Sequence, residues 1–448
     1  MKKVSSIILF LFLLSLLFPT GCGRKGKSRT PSGGGTPPSS AFSRSWGTSG
    51  FDYIQGIAIG SDGSIYCAGY LGSGLTKFEG LLLKYTSDGT LVWAKSFGDT
   101  NRNDVRFWAI AVDSSNNIYC AGYWAFLNAS SDDDALLVSF DSNGNLRWAK
   151  TWDAALSNSW ERFDSVTVDS SDNIYCAGQV EQMASNTRDG LLVKFSSNNG
   201  NLLWAKVWNG SGNDSFEVVR FSGGYIYAAG YTNNGVNDDA LLVKYDPSGS
   251  IGWSKSYAIS AYNYDEGWDA VTVDSLGNIY CVGNIISTKN LLLAKCSSDG
   301  SMQWAKVWTS SGDDWVNGME RDSKGNIYCV GYTALFASST GNDGFLIALD
   351  SNGTISRSYA WRGNLHDYLE GVAVSANDDV YSAGYSSSST GSWQPITVGS
   401  ATSTSVAVST PSVTGSSISG TLSSQSGVLG NPSGTGTGEY DALLMRNW

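Results

Sequence analysis

A short apolar segment recurs seven times along the chain, at spacings of 48 to 56 residues. Its copies read IYCAG, IYAAG, IYCVG or VYSAG and begin at Ile65, Ile118, Ile174, Ile226, Ile279, Ile327 and Val380. Each copy is the second of four strand-like runs, which are joined by tight turns such as Asp113–Asn117. Four short antiparallel strands in about 50 residues make one blade of a β-propeller. The repeat therefore predicts an all-β fold, a seven-bladed β-propeller of four-stranded blades.

The two ends of the repeat region are expected to meet. The seventh repeat supplies strands at 371–375, 380–385 and 441–448, and then the chain stops without a fourth strand. Phe42–Trp46 matches the fourth-strand pattern of Trp93–Phe97. We expect this N-terminal strand to complete blade seven and close the ring, which would remove exposed sheet edges. The propeller would then span 42–448.

Small residues occupy the middle of the second strands. Cys67, Cys120, Cys176, Cys281 and Cys329 share one repeat position, and the other two repeats have Ala228 and Ser382 there. Equivalent sites on stacked sheets lie ~10 Å apart, too far for a disulfide. We expect buried free thiols.

The amino end carries export signals. Lys2 and Lys3 precede the apolar run Ile7–Phe18, which is shorter than the ~20 residues of a membrane span. We expect a signal peptide over 1–22 and a flexible Gly/Pro/Ser linker over 23–41. Beyond residue 40 the chain has 23 basic and 40 acidic residues, so nucleic acid is not expected as a partner.

Two patterns resemble known bacterial families. AVDSxGNIYxxGY followed by DALLVKYDxxGNLLWAKTW resembles the SBBP type of β-propeller repeat, over about 42–385 and 439–448. Thr20-Gly21-Cys22 resembles the lipobox of lipoproteins. These resemblances imply lipidation of Cys22 and an exported protein anchored in the bacterial cell envelope, on the periplasmic face or the cell surface. The SBBP repeat carries no catalytic signature.

Two sets of polar residues mark the end of the blades where the connections are longest. One set opens the third strands and is expected to cap backbone N–H groups: Glu79, Asp134, Asp189, Asp239, Asn290, Asp343 and Asp441. The other set precedes the first strands, with Val105 and Asn213 as exceptions: Asp52, Glu161, Glu266, Asp314 and Asp367. These five are the candidate binding residues, either as structural groups or as a negatively charged ring around a channel opening.

Metal and cofactor sites are not expected. A single histidine, His366, excludes His–His zinc ligation. The acidic clusters 132–134, 237–239 and 313–314 are compatible with calcium but lack the EF-hand spacing. Residues 386–438 have no Asp, Glu, Lys or Arg, and this Ser/Thr/Gly-rich insertion in blade seven is either a small hairpin near Ser405–Val408, a flexible tract or a contact arm.

Three functions fit these patterns. The first is a non-enzymatic, monomeric module that binds a protein or surface polymer through its long-loop face. The second is a carbohydrate-binding protein or a carboxylate-based carbohydrate-active enzyme that uses acids such as Asp265, Glu266, Asp313, Asp314 or Asp367. Aromatic platforms would then be Tyr262, Tyr264, Trp268 or Trp315. The third is a quinoprotein, since Ser196–Trp204 resembles a tryptophan-docking motif, although no adjacent Cys-Cys pair is present.

Overall fold

All regular elements of the described chain are β-strands. In the computed structural model, the described residues are 41–72, 77–98, 104–125, 133–154, 159–182, 187–210, 212–259, 265–308, 312–334, 341–363, 365–387, 391–395, 402–403, 406–409, 416–417, 421–424, 428–430 and 440–447. No helix in these ranges is long and apolar enough to cross a membrane. The predicted all-β class is confirmed, whereas the signal peptide and Cys22 lie outside the described residues.

Each of the first six repeats forms four consecutive antiparallel strands. β1 is Phe42–Trp46. The first repeat contains β2 (Asp52–Ile59), β3 (Ile65–Gly72), β4 (Phe78–Tyr85) and β5 (Leu91–Gly98), and the second contains β6 (Asp104–Val112), β7 (Ile118–Ala125), β8 (Asp133–Phe140) and β9 (Leu146–Asp153). The third contains β10 (Ser159–Val168), β11 (Ile174–Gln182), β12 (Thr187–Phe195) and β13 (Leu202–Trp208), and the fourth contains β14 (Asp214–Ser222), β15 (Tyr225–Asn233), β16 (Asp238–Tyr245) and β17 (Ile251–Ile259). The fifth contains β18 (Glu266–Val273), β19 (Ile279–Ile285), β20 (Asn290–Cys296) and β21 (Met302–Trp308), and the sixth contains β22 (Asp314–Arg321), β23 (Ile327–Thr333), β24 (Asp343–Leu349) and β25 (Ile355–Arg362).

The seventh repeat is assembled from both ends of the chain. It contains β26 (Asp367–Val374), β27 (Val380–Ser386) and β34 (Asp441–Arg446), and its sheet order is β1-β34-β27-β26. β1 pairs antiparallel with β34, so that Phe42 lies opposite Arg446 and Trp46 opposite Ala442. The expected partner of Phe42–Trp46 is therefore the one observed. A parallel bridge between Trp160 of β10 and Asp133 of β8 joins the sheets of the second and third repeats. The other sheets are separate, and none closes on itself.

The insertion adds a fifth strand to the outer edge of six repeats. Its strands are β28 (Ser392–Pro395), β29 (Thr402–Ser403), β30 (Val406–Ser409), β31 (Ser416–Ser417), β32 (Thr421–Ser424) and β33 (Val428–Gly430). They pair antiparallel with β25, β21, β17, β13, β9 and β5 in that order. We call β28–β33 the girdle, since it visits the repeats from the sixth back to the first. The fourth strands are therefore not the outermost ones, and Val406–Ser409 does not form a local hairpin.

The core lies between neighbouring repeats. Seven clusters of buried apolar side chains each join two repeats, and one of them joins the first repeat (Ile54, Ile65) to the seventh (Tyr381, Leu444) and to Trp46. The chain is thus a propeller-like arrangement of stacked sheets. The six described cysteines are free and buried, as expected.

Candidate functional site

A bulge in each first strand puts one extra residue at the same place in all seven repeats. In β10, for example, the pairing with β11 shifts between Phe163 and Ser165, so Asp164 is the unpaired residue. The seven bulge residues are Gln55, Trp108, Asp164, Glu217, Asp269, Asn317 and Glu370. Bulges re-aim a side chain out of the regular alternation of a strand.

The glycine of the repeated segment makes the bulge possible. At Gly178, a Cβ atom would lie 2.0 Å from the carbonyl oxygen of Arg162 on the neighbouring strand. The matching glycines leave the same room, with 1.8 to 2.1 Å between the added Cβ and a first-strand carbonyl: Gly69, Gly122, Gly230, Gly283, Gly331 and Gly384. Only glycine fits such a close approach of two backbones.

The bulge residues meet around a central cavity. They line it together with Arg162, and its volume is about 270 Å³. A second cavity of about 430 Å³ is lined by first-strand residues of all seven repeats, including six of the bulge residues. The bulge residues lie near the middle of each first strand, since Gln55 is the fourth residue of eight in β2 and Asp164 the sixth of ten in β10. The cavity of about 430 Å³ continues from them toward the tight turns, as far as Ile59 and Val112. The smaller cavity therefore lies on the long-loop side of the larger one.

Burial and mutual repulsion control the charge of the cavity. Burial and the Glu217 carboxylate raise the pKa of Asp164 to about 7, although Arg162 lies 2.9 Å away and opposes the shift. Burial also raises the pKa of Glu370 to about 7, against a hydrogen bond from Tyr385. The pKa of Asp269 is raised well above its usual value by burial and by Glu217. The carboxyl groups of Asp164 and Glu370 are therefore partly protonated near neutral pH, and burial favours the protonated form of Asp269.

Aromatic rings follow one side of the cavity. Tyr332, Tyr368, Tyr385, Tyr53, Tyr70, Trp108 and Tyr123 form a continuous row across the sixth, seventh, first and second repeats, with neighbouring ring centroids 4.6 to 6.3 Å apart. The guanidinium of Arg106 lies over Tyr70 and Tyr123 and pairs with Asp104 at 2.9 Å. Trp108 is the member of this row that lines the cavity, whose wall also bears Arg162, Asp164, Glu217 and Asp269.

Toward the tight turns, an ion pair joins two repeats that are not neighbours. The Arg220 guanidinium of the fourth repeat donates to the Glu320 carboxylate of the sixth. Both residues line a further cavity of about 440 Å³. The equivalent positions of the first, second and seventh repeats hold only Ala58, Ala111 and Ala373. The two ends of the central space therefore differ, with hydrogen-bonding groups at one end and this ion pair at the other.

The five candidate binding acids lie at the junctions between repeats and line none of these three cavities. Asp52 is buried, and its carboxylate accepts a hydrogen bond from the backbone N–H of Thr48, with 2.5 Å between N and Oδ2. Asp367 is buried, and its carboxylate accepts hydrogen bonds from the backbone N–H of Gly363 at 2.6 Å and from the hydroxyl of Ser386. Glu161, Glu266 and Asp314 are also buried. Asp214, not Asn213, occupies this position in the fourth repeat, where it accepts from Gly210 and Thr232.

A second acid from the preceding repeat faces several of these carboxyls. The pKa of Asp52 rises to about 6 by burial, with a contribution from Asp441, and burial and Asp189 raise that of Asp214 to about 6. Burial raises the pKa of Glu161 to about 8, with contributions from Asp153 and Asp134, and burial and Asp343 raise that of Asp367 to about 6. The junctions therefore hold pairs of acids whose negative charge is disfavoured.

The predicted strand caps contact neighbouring side chains, and their role as caps of backbone N–H groups stays a prediction. Glu79 pairs with Lys77, Asp189 accepts from Asn209, Asp239 from Asn234, and Asp343 pairs with Arg362, while Asn290 donates to Thr288. Asp134 and Asp441 face the acids of the next repeat.

The other residues considered for chemistry are not grouped. Trp268 is fully buried, so it offers no sugar platform, and Asp313 pairs with Lys289. Tyr262, Tyr264 and Asp132 lie outside the described residues. Within the described ranges, no group of three or more His, Cys, Asp or Glu side chains is arranged to hold a metal ion.

Sequence reasoning missed the bulge residues. The signal was a polar residue three positions after the candidate acids, inside an otherwise apolar strand, as in Glu161 and Asp164 or Asp367 and Glu370. In a regular strand, the side chain of such a residue would point toward a neighbouring sheet. The bulge changes its direction, so that it points into the central cavity.

No family model matches the chain, and no curated protein matches it either. Among solved structures, Sqt1 from Chaetomium thermophilum is 12% identical, with 76% of this chain and 83% of that chain covered and a TM-score of 0.45. The Neurospora crassa Pan2 WD40 domain is 11% identical, with coverages of 73% and 85% and a TM-score of 0.37. A Dyadobacter fermentans protein of unknown function is 10% identical, with coverages of 90% and 99% and a TM-score of 0.36. Because these sequence identities and TM-scores are low, the fold assignment rests on the strand pairings and not on the similarity to solved structures.

Proposed function

We propose that the chain is an exported, membrane-tethered module that binds a protein or surface polymer through its long-loop face and catalyses no reaction. One observation carries the proposal: a cavity lined by polar bulge residues lies on the long-loop side of the central space. Binding residues concentrate on irregular connections that a rigid scaffold positions. A cavity with convergent polar groups is the usual form of such a site.

The proposed scaffold is a closed, monomeric seven-bladed propeller of the SBBP-repeat type. The pairing of β1 with β34 supports closure, as does the cluster that joins Trp46 and Ile54 to Leu444. A closed ring leaves no inter-blade face uncovered. No resident cofactor is part of the proposal.

The proposed tether is a lipid on Cys22, in the bacterial cell envelope. The apolar run before Cys22 and the Gly/Pro/Ser-rich stretch after it support this part. Fractionation of cells that make the chain or its Cys22→Ser variant tests it. We expect the parent chain in the membrane fraction and the variant released from it, whereas equal release of both would contradict lipidation.

The partner is best sought by crosslinking and mass spectrometry on intact cells. We expect crosslinks from lysines at the long-loop end, such as Lys77 and Lys289, and not from Lys324 in a tight turn at the other end. Crosslinks confined to the tight-turn end would contradict the proposed face. Deletion of 386–438 is a poor test of binding, because it also unpairs the fourth strands of six repeats.

A further inference from the structure

We infer that the central cavity binds one neutral sugar residue of a surface saccharide. The inference rests on the proposed function and deepens it by naming the ligand class. The site consists of Gln55, Trp108, Arg162, Glu217 and Asn317, together with the carboxyl groups of Asp164, Asp269 and Glu370.

Every lining side chain can form a hydrogen bond, and the set mixes donors with acceptors. The amides of Gln55 and Asn317 do both, Arg162 and Trp108 donate, and Glu217 accepts. A sugar hydroxyl also donates and accepts, and the C–H face of a sugar ring packs on an indole such as that of Trp108. The lining therefore matches a ligand with several hydroxyl groups around a small apolar ring.

Three of these groups have unused hydrogen-bonding capacity. The Gln55 amide and the Glu217 carboxylate form no hydrogen bond with another described residue. The indole Nε1 of Trp108 is buried and has no acceptor within the described part of the chain, so a ligand would contact the ring and not this N–H. Gln55 and Glu217 are half-buried and hydrated in the free protein. A ligand that displaces this water must replace its hydrogen bonds, which hydroxyl groups can do.

Other ligand classes fit the lining less well. An alkylammonium has only donors, so it offers no acceptor to the N–H groups of Gln55, and it would meet the positive charge of Arg162 at the cavity wall. An anionic sugar would meet the carboxylate of Glu217 at the cavity wall. A neutral sugar satisfies donors and acceptors without a charge of its own.

The cavity has room for one such unit. Its volume of about 270 Å³ lies just below the ~300–1,000 Å³ of pockets for drug-sized ligands. The aromatic row from Tyr332 to Tyr123 adjoins the cavity through Trp108 and offers further contact to neighbouring units of a polymer.

The test is titration of the full-length chain with glucose, galactose, mannose and N-acetylglucosamine, followed by calorimetry and tryptophan fluorescence. We expect at least one of the four to bind with a Kd on the order of 1 mM, typical of a few contacts. Glu217→Gln and Gln55→Ala should each raise that Kd about tenfold, the cost of one good hydrogen bond. Trp108→Phe should raise it by a smaller factor.

The matched control is Glu79→Gln, the same chemical change at a residue that lines none of the cavities. We expect its Kd to be unchanged, and far-UV circular dichroism and the Tm establish that each variant is folded. The inference is overturned if no sugar binds, if neither cavity variant weakens binding, or if n-butylammonium binds and the sugars do not. If the sugar inference fails but crosslinks form at the long-loop end, the proposed function still stands. If a sugar binds but no such crosslinks form, only the proposed partner-binding face is contradicted.

Discussion

Buried carboxyl groups at the repeat junctions make stability depend on pH. Glu161 is 1% exposed and Asp52, Asp214 and Asp367 are 0% exposed, and burial raises the pKa of each, to about 8 for Glu161 and about 6 for the others. A raised pKa in the folded state means that the folded chain holds its proton more tightly than the unfolded chain. The stability linked to these groups is therefore complete below their unfolded pKa of about 4 and is lost as the pH rises through 6 to 8.

We predict a higher Tm at pH 5 than at pH 8.5. One pKa unit corresponds to ~1.4 kcal/mol, so a shift from 3.8 to about 6 in Asp52 corresponds to ~3 kcal/mol. Glu161→Gln should reduce the fall in Tm between the two pH values, because the amide does not ionise. Thermal melts across the pH range measure this, with Glu79→Gln as the control. A Tm that rises steadily from pH 5 to 8.5 would refute the interpretation.

The glycine beside each bulge allows a prediction about one backbone contact. Gly178→Ala should lower the free energy of unfolding by about 2 kcal/mol or more, because the new methyl group overlaps the carbonyl of Arg162. Gly252→Ala in β17 is the control, since its Cβ would meet only the Lys244 carbonyl at 3.4 Å. Urea denaturation of both variants checks the difference, and equal stabilities would show that the close approach is unimportant.

At the scale of elements, the girdle covers edges that would otherwise be exposed. Six fourth strands, from β25 to β5, have their outer backbone groups facing a girdle strand. Uncovered edge strands pair with other chains. The insertion can be removed cleanly, because Ser386 and Asp441 lie opposite each other in adjacent strands.

We predict that replacing residues 388–439 with a four-residue turn causes self-association and a lower Tm. Light scattering coupled to gel filtration measures the first effect, and thermal melts measure the second. Hydrogen exchange should increase in β5, β9, β13, β17, β21 and β25. A control that shortens the connection at 335–340 leaves all fourth strands with their partners. A monomeric protein with an unchanged Tm would mean that the girdle contributes nothing to the edges.

At the scale of the whole molecule, β1 joins the two ends of the chain. Trp46 is 7% exposed and packs with Ile54, Ile65 and Leu444. We predict that removal of residues 23–47 lowers the free energy of unfolding by at least ~2 kcal/mol, the burial energy of one large side chain, and exposes the edge of β34. Denaturant titration compares it with removal of 23–40 alone, which keeps β1. Equal stability of the two truncations would argue against the contribution of this strand.

The sequence predicts the strands well because their signals are local. Turns such as Asp113–Asn117 recur in six repeats, and the fourth has Gly223-Gly224 at its turn. Apolar runs like the one around Cys120 recur in all seven repeats, and the pairing of Phe42–Trp46 with the last strand follows from counting strands. The girdle was not predictable, because strands such as Ser416–Ser417 have no apolar alternation and form where an edge is available. The bulge residues, three positions after the candidate acids, were not predicted, because a regular strand would direct such a side chain toward a sheet neighbour and the bulge changes that direction. Asp214 was missed by one residue, since the lengths of the connections between repeats differ.

The pairing of β1 with β34 also constrains the order of folding on the ribosome. β1 is the first described strand to be synthesised and β34 is the last, so β1 remains without its partner until translation is nearly complete. The girdle is made just before β34, when the six repeats that it borders already exist. The seventh sheet is therefore the last to be completed. A chain that is released early would lack both the girdle and the pairing of β1 with β34.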